Sequence, residues 1–302
     1  MNILVIGGGV VGVATAYYLS QKGLNVTVLE AQERDGDFGA TAGNAGLLSP
    51  SDAFAWASPS ALKVAIKSLL KPQLGIQYKL HMDPTLWRWT ASFLSQCRSS
   101  QWVENSGSKF QLAQYSIDML AKLQLETQIN FDASHQGIAY ASRSPSGLEK
   151  LSRHFNFLED RGLKLELLDR GALHEKLPLL QANSQTYAGA VFSPNCKTGD
   201  SAKFSLELAH WCIKNTECQF IWGASVEKIC QKDNKISSVL TSKGEFKADA
   251  YVLAAGAQSG ILSTQLNIKL PICPIKGFSI TAPLINTKIK PMSGFDDTDR
   301  LV

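Results

Sequence analysis

Short apolar runs alternating with helically spaced ones, a glycine-rich turn after the first run, and a return to that pattern near residue 200 together predict an α/β fold. In it a Rossmann-type nucleotide-binding domain is interrupted by an α+β domain. The expected bounds are 1–53 and 197–268 for the first, and 54–196 and 269–302 for the second. A length of 302 residues suits two domains better than one.

The elements follow in order. Ile3 to Ile6 is apolar and β-branched, Val11, Ala14, Tyr18 and Leu19 recur at helical spacing, and Val26 to Leu29 is apolar again, which reads as strand, helix and parallel strand. Residues 108–127, with Lys109, Leu112, Tyr115, Met119, Leu120 and Leu123, and residues 146–161, with Leu148, Leu151, Phe155 and Leu158, predict helices. Strands are expected at Gly137 to Ala141 and Ala188 to Phe192. Beyond Asp200 come a helix through Phe204 to Ile213, a strand near Phe220 to Trp222, and two strands at Lys235 to Thr241 and Glu245 to Val252. No internal repeat interrupts this order.

Composition narrows the function class. No run approaches the roughly 18–20 apolar residues of a spanning helix, and Met1 to Gly9 carries no Lys or Arg, so neither a membrane anchor nor a secretory signal is expected. Six cysteines (Cys97, Cys196, Cys212, Cys218, Cys230, Cys273) show no C-x-x-C pair and no His at ligand spacing. They read as reduced thiols of a cytoplasmic protein, with no metal site. A net charge of +4 with no basic tract argues against a nucleic-acid partner.

Gly7-Gly8-Gly9-Val10-Val11-Gly12 supplies G-x-G-x-x-G directly after the first strand, and Glu30 ends the second strand 18 residues after Gly12. Gly7 permits the tight turn, Gly9 lets a pyrophosphate approach the backbone, and Gly12 allows close helix–strand packing, with the phosphates against the N–H groups at the helix start. The Glu30 carboxylate accepts ribose hydroxyls and repels a 2′-phosphate, which favours FAD or NAD over NADP. Thr41-Ala42-Gly43-Asn44-Ala45-Gly46 offers backbone N–H groups, a hydroxyl and an amide where an extended cofactor continues, or else is a flexible loop. The strand Tyr251 to Leu253 runs into Ala254, Ala255 and Gly256, whose small side chains leave room beneath a nucleotide, or else is a core strand with a glycine stop.

The fingerprint, the Thr41 to Gly46 loop with Ser49-Pro50, Glu104-Asn105 with Leu112-Ala113 and Tyr115-Ser116, Thr198-Gly199-Asp200, Ala248 to Val252, and Pro274-Ile275-Lys276-Gly277-Phe278-Ser279 resemble the D-amino-acid dehydrogenase small-subunit family. That family lies within the glycine oxidase and D-amino-acid oxidase group of FAD-dependent oxidoreductases. The resemblance runs over essentially the whole chain. It implies FAD, with Glu30 on the adenosine ribose, Val226 beside the adenine, and the Thr41 to Leu47 loop reaching towards the flavin ring. The cofactor-binding set so expected is Gly7, Gly9, Val10, Val11, Gly12, Glu30, Ala31, Thr41, Ala42, Asn44, Ala45, Gly46, Leu47, Val226, Ala255 and Gly256. Members of the family continue beyond the position of Val302 through a glycine-rich C-terminal part, so the second domain is expected to be incomplete. A non-catalytic FAD-binding fragment is the reading that this departure opens.

The activity implied is oxidative deamination of a small D-amino acid to a 2-oxo acid and ammonia, with electrons passed to a quinone or other electron-transfer acceptor. The rival within the group is a glycine or sarcosine-type oxidase using oxygen. Such chemistry needs no nucleophilic triad. None of His81, His135, His154, His174 and His210 has motif spacing, and Lys276, in Pro-x-Lys-Gly, is the one catalytic candidate.

One further segment stands out. Between Asp52 and Glu104 the only acid is Asp83, against Lys63, Lys67, Lys71, Lys79, Arg88 and Arg98, so this segment carries +5 and the remainder about −1. Leu62, Ala65, Ile66, Leu69 and Leu70 form an apolar stripe, with Lys63, Lys67 and Lys71 on the other side, and Trp56, Trp87, Trp89 and Phe93 flank it. This is either a solvated lysine face or a peripheral contact with the inner face of the cytoplasmic membrane. The family resemblance favours the membrane.

Overall fold

The computed structural model describes residues 1–33, 39–70, 83–178, 187–278, 280 and 293–296. It divides into two compact units, one comprising residues 1–46, 123–132 and 199–280, the other 47–122, 133–198 and 281–302. Against the expected bounds, residues 123–132 and 269–280 fall in the first unit and residues 47–53 and 197–198 in the second.

Along the chain, β1 (Asn2–Ile6), α1 (Val10–Ser20) and β2 (Asn25–Leu29) form the initial β-α-β unit, followed by β3 (Leu47–Leu48), α2 (Ala61–Leu70), α3 (Pro84–Ser95) and α4 (Ser99–Thr127). The middle holds β4 (Ile138–Ser142), α5 (Pro145–Glu159), β5 (Glu166–Asp169), α6 (Arg170–Lys176), β6 (Gly189–Ser193) and β7 (Lys197–Thr198). Then come α7 (Ser201–Asn215), β8 (Gln219–Ile221), β9 (Val226–Lys232), β10 (Lys235–Thr241), β11 (Gly244–Phe246), β12 (Ala250–Leu253), α8 (Ser259–Thr264) and β13 (Ser293–Asp296).

The first unit is built on a parallel sheet in the order β12-β1-β2-β8. Ile3 to Ile6 are all buried, as strands covered on both faces require. Alternation sends Leu4 and Ile6 into a cluster with Ile229 and Val239 of the antiparallel meander β9–β11 and with Leu262 of α8. Helix α1 packs on α7, with the Tyr17 ring against Trp211 (centroids 5.5 Å apart) and Ser20 beside Cys212, and its buried residues include Val13, Ala16, Tyr17 and Ser20. The stripe read from sequence is off by about one position: Val11 is 65% exposed. Because α1 is apolar nearly all round, periodicity alone cannot choose its buried face.

Two further differences have local causes. The expected strand over 245–252 is two strands in two sheets, because at Asp249 the chain turns onto β1: the Asp249 N–H donates to Asn2 O (2.9 Å) and Asn2 N–H donates to the Asp249 carboxylate (2.7 Å). Strand β9, unpredicted, is joined to β10 by Asp233 and Asn234, both left-handed at φ 52° and 59°, the pair that a tight two-residue hairpin requires.

The second unit carries the sheet β13-β4-β6-β5, with β4 and β6 buried throughout. One face packs on Phe110, Phe155 and Leu158, and the other, which includes Leu168 of β5, packs on Leu173 and Leu177. In α4 it is Phe110 and Leu123 that are buried, while Leu112 and Tyr115, assigned to the apolar stripe, are 67% and 62% exposed. Helix starts carry their caps: Ser144 accepts Gly147 N–H, Asp169 accepts Ala172 N–H, and Asp83 accepts Thr85 N–H, with Pro145 and Pro84 in the first turns.

A polar hub sits in this core. The Tyr140 hydroxyl donates to Asp52 Oδ2 (2.8 Å), and Ser51 Oγ, 2.6 Å from the phenol oxygen, therefore donates to it. Cys196, fully buried, lies 3.2 Å from Ser51 Oγ and 3.1 Å from Ser193 Oγ. Asp52 keeps an exposed edge, but Oδ2 is shut against the buried phenol. That burial raises its carboxyl above the ordinary range, although the Tyr140 and Ser49 hydroxyls and the Lys109 charge act the other way.

The folded protein holds the Asp52 proton more tightly than the unfolded chain, so this contribution is present below the carboxyl range and is lost as pH rises through it. In urea titrations, Asp52→Asn is expected to gain stability relative to the parent between about pH 4 and about pH 7. An equal gap at both pH values refutes it. Tyr140→Phe leaves buried hydroxyls without their partner and is expected to cost about 1–3 kcal/mol.

Candidate functional site

The site is built where β1 turns into α1. Gly7 is left-handed (φ 108°), and a Cβ there would stand 2.5 Å from Ala254 O. A Cβ on Gly12 would stand 1.8 Å from Gly7 O, so helix and turn close on each other only with glycine at both positions. At Gly9, in extended conformation, the nearest atom to an added Cβ is Thr41 Oγ1 at 3.0 Å. Helix α1 has no acid in its first turn and no side-chain cap from Gly9. Val10 N–H donates to Thr41 Oγ1 (3.2 Å), while Val11 and Gly12 N–H find no acceptor among the described residues.

Glu30 follows β2, its backbone held by Ile221 O and by Ala224 N–H. One carboxylate oxygen accepts Gly8 N–H (2.5 Å), the other Gln32 N–H (2.9 Å). A carboxylate has about four lone-pair positions, so two bonds leave capacity for hydroxyl donors. The Glu30 carboxylate holds the turn at Gly8, a role that the sequence does not signal.

The loop at 39–46 lies against the start of α1 through Thr41, which is buried. Asn44 Nδ2 reaches Thr41 O and its Oδ1 accepts Gly46 N–H, while Ala42 follows a short helical turn that closes on Gly39 O. Ala45 continues the loop, and Leu47 begins the second unit in β3, paired with Thr198. Val226 opens β9 two residues beyond the Ala224 link to Glu30. Ala255 is partly buried, and its Cα would be 2.9 Å from a Cβ on Gly7. Gly256 is left-handed at φ 55°. Ala31 is exposed beside Glu30.

The structure therefore brings Gly7, Gly9, Val10, Gly12, Glu30, Thr41 and Ala255 to one place. Lys276 shares none of these contacts: its Nζ stands 5.3 Å from the ring of Phe278, itself 87% exposed. Ser201, which reaches Thr41 and Asn44, went unread because its partners lie some 160 residues away. Burial pushes the Cys212 and Cys218 thiols up to about 12, which keeps both protonated at neutral pH. Among the described residues no group of three or more His, Cys, Asp or Glu is arranged to hold a metal.

These features fit a dinucleotide. A pyrophosphate needs approach to bare backbone and unanswered N–H groups at a helix start free of acid, which Gly9, Val11 and Gly12 supply, and a ribose needs the acceptor that Glu30 supplies.

Comparison with known proteins agrees. The model of the FAD dependent oxidoreductase family matches residues 2–302. The chain is 38% identical over 302 residues to D-amino acid dehydrogenase 2 of Mesorhizobium japonicum, covering 100% of this chain and 72% of that protein. It is 33% identical to D-amino acid dehydrogenase of Granulibacter bethesdensis, over 97% of this chain and 70% of that one. Among solved structures, glycine oxidase from Bacillus cereus superposes with a TM-score of 0.57 at 21% identity, covering 87% of this chain and 57% of that one. L-proline dehydrogenase from P. horikoshii superposes at 0.60 and 18%, covering 98% and 64%. These two share its fold, and the chain spans less than two thirds of their length. By the family match and by its identity to these relatives, the chain belongs to the FAD dependent oxidoreductase family, alongside the D-amino acid dehydrogenases, and its cofactor is FAD.

Proposed function

We propose that the protein serves the oxidative deamination of D-amino acids to 2-oxo acids and ammonia, with electrons passed to a quinone-type acceptor. The observation that carries this reading is identity of 33–38% to D-amino acid dehydrogenases across the whole or nearly the whole chain. FAD, when bound, supplies the acceptor for the electron pair leaving the substrate's Cα–H bond. The residues of the first unit hold it: Gly9 by absence of a side chain, Val11 and Gly12 through N–H groups, Glu30 through ribose hydroxyls, and Thr41 from the loop. Substrate loses two electrons and two protons to become the imino acid, and water then yields the 2-oxo acid and ammonia. Lys276 remains the proposed catalytic residue.

The quinone acceptor is paired with a membrane surface. In the second unit Trp56 is 70% exposed, and Leu62, Ile66, Trp87 and Leu94 are exposed with Lys63 and Arg88 among them. Apolar rings beside cations suit a headgroup boundary. The side chains of Lys67, Leu69 and Leu70, and all of Lys71 and Lys79, lie outside the described residues. No helix among the described residues is long and apolar enough to cross a membrane.

Three outcomes are expected. Gly9→Val, placing bulk against the pyrophosphate path, is expected to abolish copurifying flavin absorbance, and Glu30→Ala to raise the FAD dissociation constant about 10-fold or more. Undiminished flavin in Gly9→Val refutes the fingerprint. Under argon, D-alanine is expected to bleach the flavin of the holoprotein, with a soluble quinone restoring the colour faster than oxygen does. Fast peroxide formation selects an oxidase instead. Anionic vesicles are expected to float the parent at low salt but not Lys63→Glu/Lys67→Glu/Lys71→Glu, three lysines at about 1 kcal/mol each being worth a factor above a hundred. Equal flotation of both proteins removes the membrane assignment.

A further inference from the structure

Thr41 supplies the acceptor for Val10 N–H, the first donor of the helix on which the dinucleotide reading rests. What holds Thr41 there is not its own loop alone. Its carbonyl oxygen accepts from Asn44 Nδ2 (2.7 Å) and also from the hydroxyl of Ser201, the first residue of α7. Asn44 Nδ2 lies 2.7 Å from Ser201 Oγ as well, and 3.1 Å from Ala40 O. The proton count closes. Ser201 gives its single proton to Thr41 O and accepts one from Asn44, and the two Asn44 protons are shared among three acceptors.

The anchor is itself fixed independently of the loop. Asp200 caps α7 by accepting Lys203 N–H (2.8 Å), and its own N–H donates to Phe131 O (2.8 Å). Gly199 N–H donates to Gly46 O (2.9 Å), and Gly46, at φ 60°, comes so close that a Cβ would stand 1.8 Å from Gly199 O. The loop is thus tied at both ends, at Thr41 by side chains and at Gly46 by backbone, to a helix start some 160 residues away in sequence.

From this we propose that Ser201 and Asn44 are positioning residues for the cofactor. They form a clasp that sets Thr41 at the start of α1 and so fixes the loop in its binding arrangement before FAD arrives. The proposal rests on the reading of the first unit as the FAD site. Removing the clasp leaves α7 capped and the cores intact, so its effect falls on loop order, and the ordering cost is then met from binding.

The test is FAD titration of apoprotein, followed by quenching of flavin fluorescence, with thermal unfolding of the same apoproteins alongside. Ser201→Ala and Asn44→Ala are each expected to raise the FAD dissociation constant about fivefold to tenfold, as loss of one or two neutral hydrogen bonds implies. Apoprotein unfolding temperatures are expected to stay at the parental value, and Ser201→Thr, which keeps the hydroxyl, to restore affinity. The double variant is expected to weaken binding by less than the product of the singles, because both act on one carbonyl. Parental affinity in both single variants overturns the clasp while leaving the FAD site standing. Affinity lost in step with apoprotein stability also overturns it, since the residues would then serve folding. A parent that takes up no FAD overturns the site reading and the clasp with it.

Discussion

The close approach of two backbone segments governs the first unit: the turn at Gly7 lies directly on Ala254 at the end of β12, and Gly12 lies directly on Gly7. β1 is hydrogen-bonded on both sides, to β2 and to β12, so its end cannot move away. Given that, a side chain on either glycine has nowhere to go. Everything else at the site is placed from this contact: α1 starts where the turn releases it, Glu30 reaches back to Gly8, and the 39–46 loop closes on Val10.

The part of the architecture that local chemistry dictates was legible in the residues. Glycines at Gly7, Gly9 and Gly12 between an apolar strand and a helix, with Glu30 at the end of the next strand, have no equally economical alternative use, and the strand, helix and strand were found where the pattern put them. The choice of buried face was not legible in α1 or α4. Val11 and Leu112 are as apolar as Val13 and Phe110, and only packing against α7 or the β4 sheet distinguishes them. Strand β9 was missed for a related reason: its mixed sequence Val226 to Lys232 buries only Cys230-neighbour Ile229 fully, so alternation is faint and the Asp233-Asn234 turn was the stronger sign.

Connections of long sequence separation were the least legible. Ser201 reads as an ordinary first residue of a helix capped by Asp200, and Tyr140 as an ordinary aromatic in a buried strand. Each is given its role by a segment far away, Ser201 by Thr41 and Asn44, Tyr140 by Ser51 and Asp52. Hydrogen-bond partners at such distances leave no periodicity to detect.

At Glu30 the carboxylate that holds the glycine turn keeps accepting capacity for a ligand. A carboxylate at the end of β2, next to a helix start that already favours negative charge, is stabilised by two backbone N–H donors, so it is oriented before any ligand comes. Orientation in advance lowers the entropy cost of binding. The same two bonds consume part of its accepting capacity, and what remains is directed by their geometry. A ribose diol, with two adjacent donors, suits that remainder, whereas a phosphate brings like charge to it and only more acceptors. Any change at Glu30 made to alter that remainder therefore also alters the bond that holds the glycine turn.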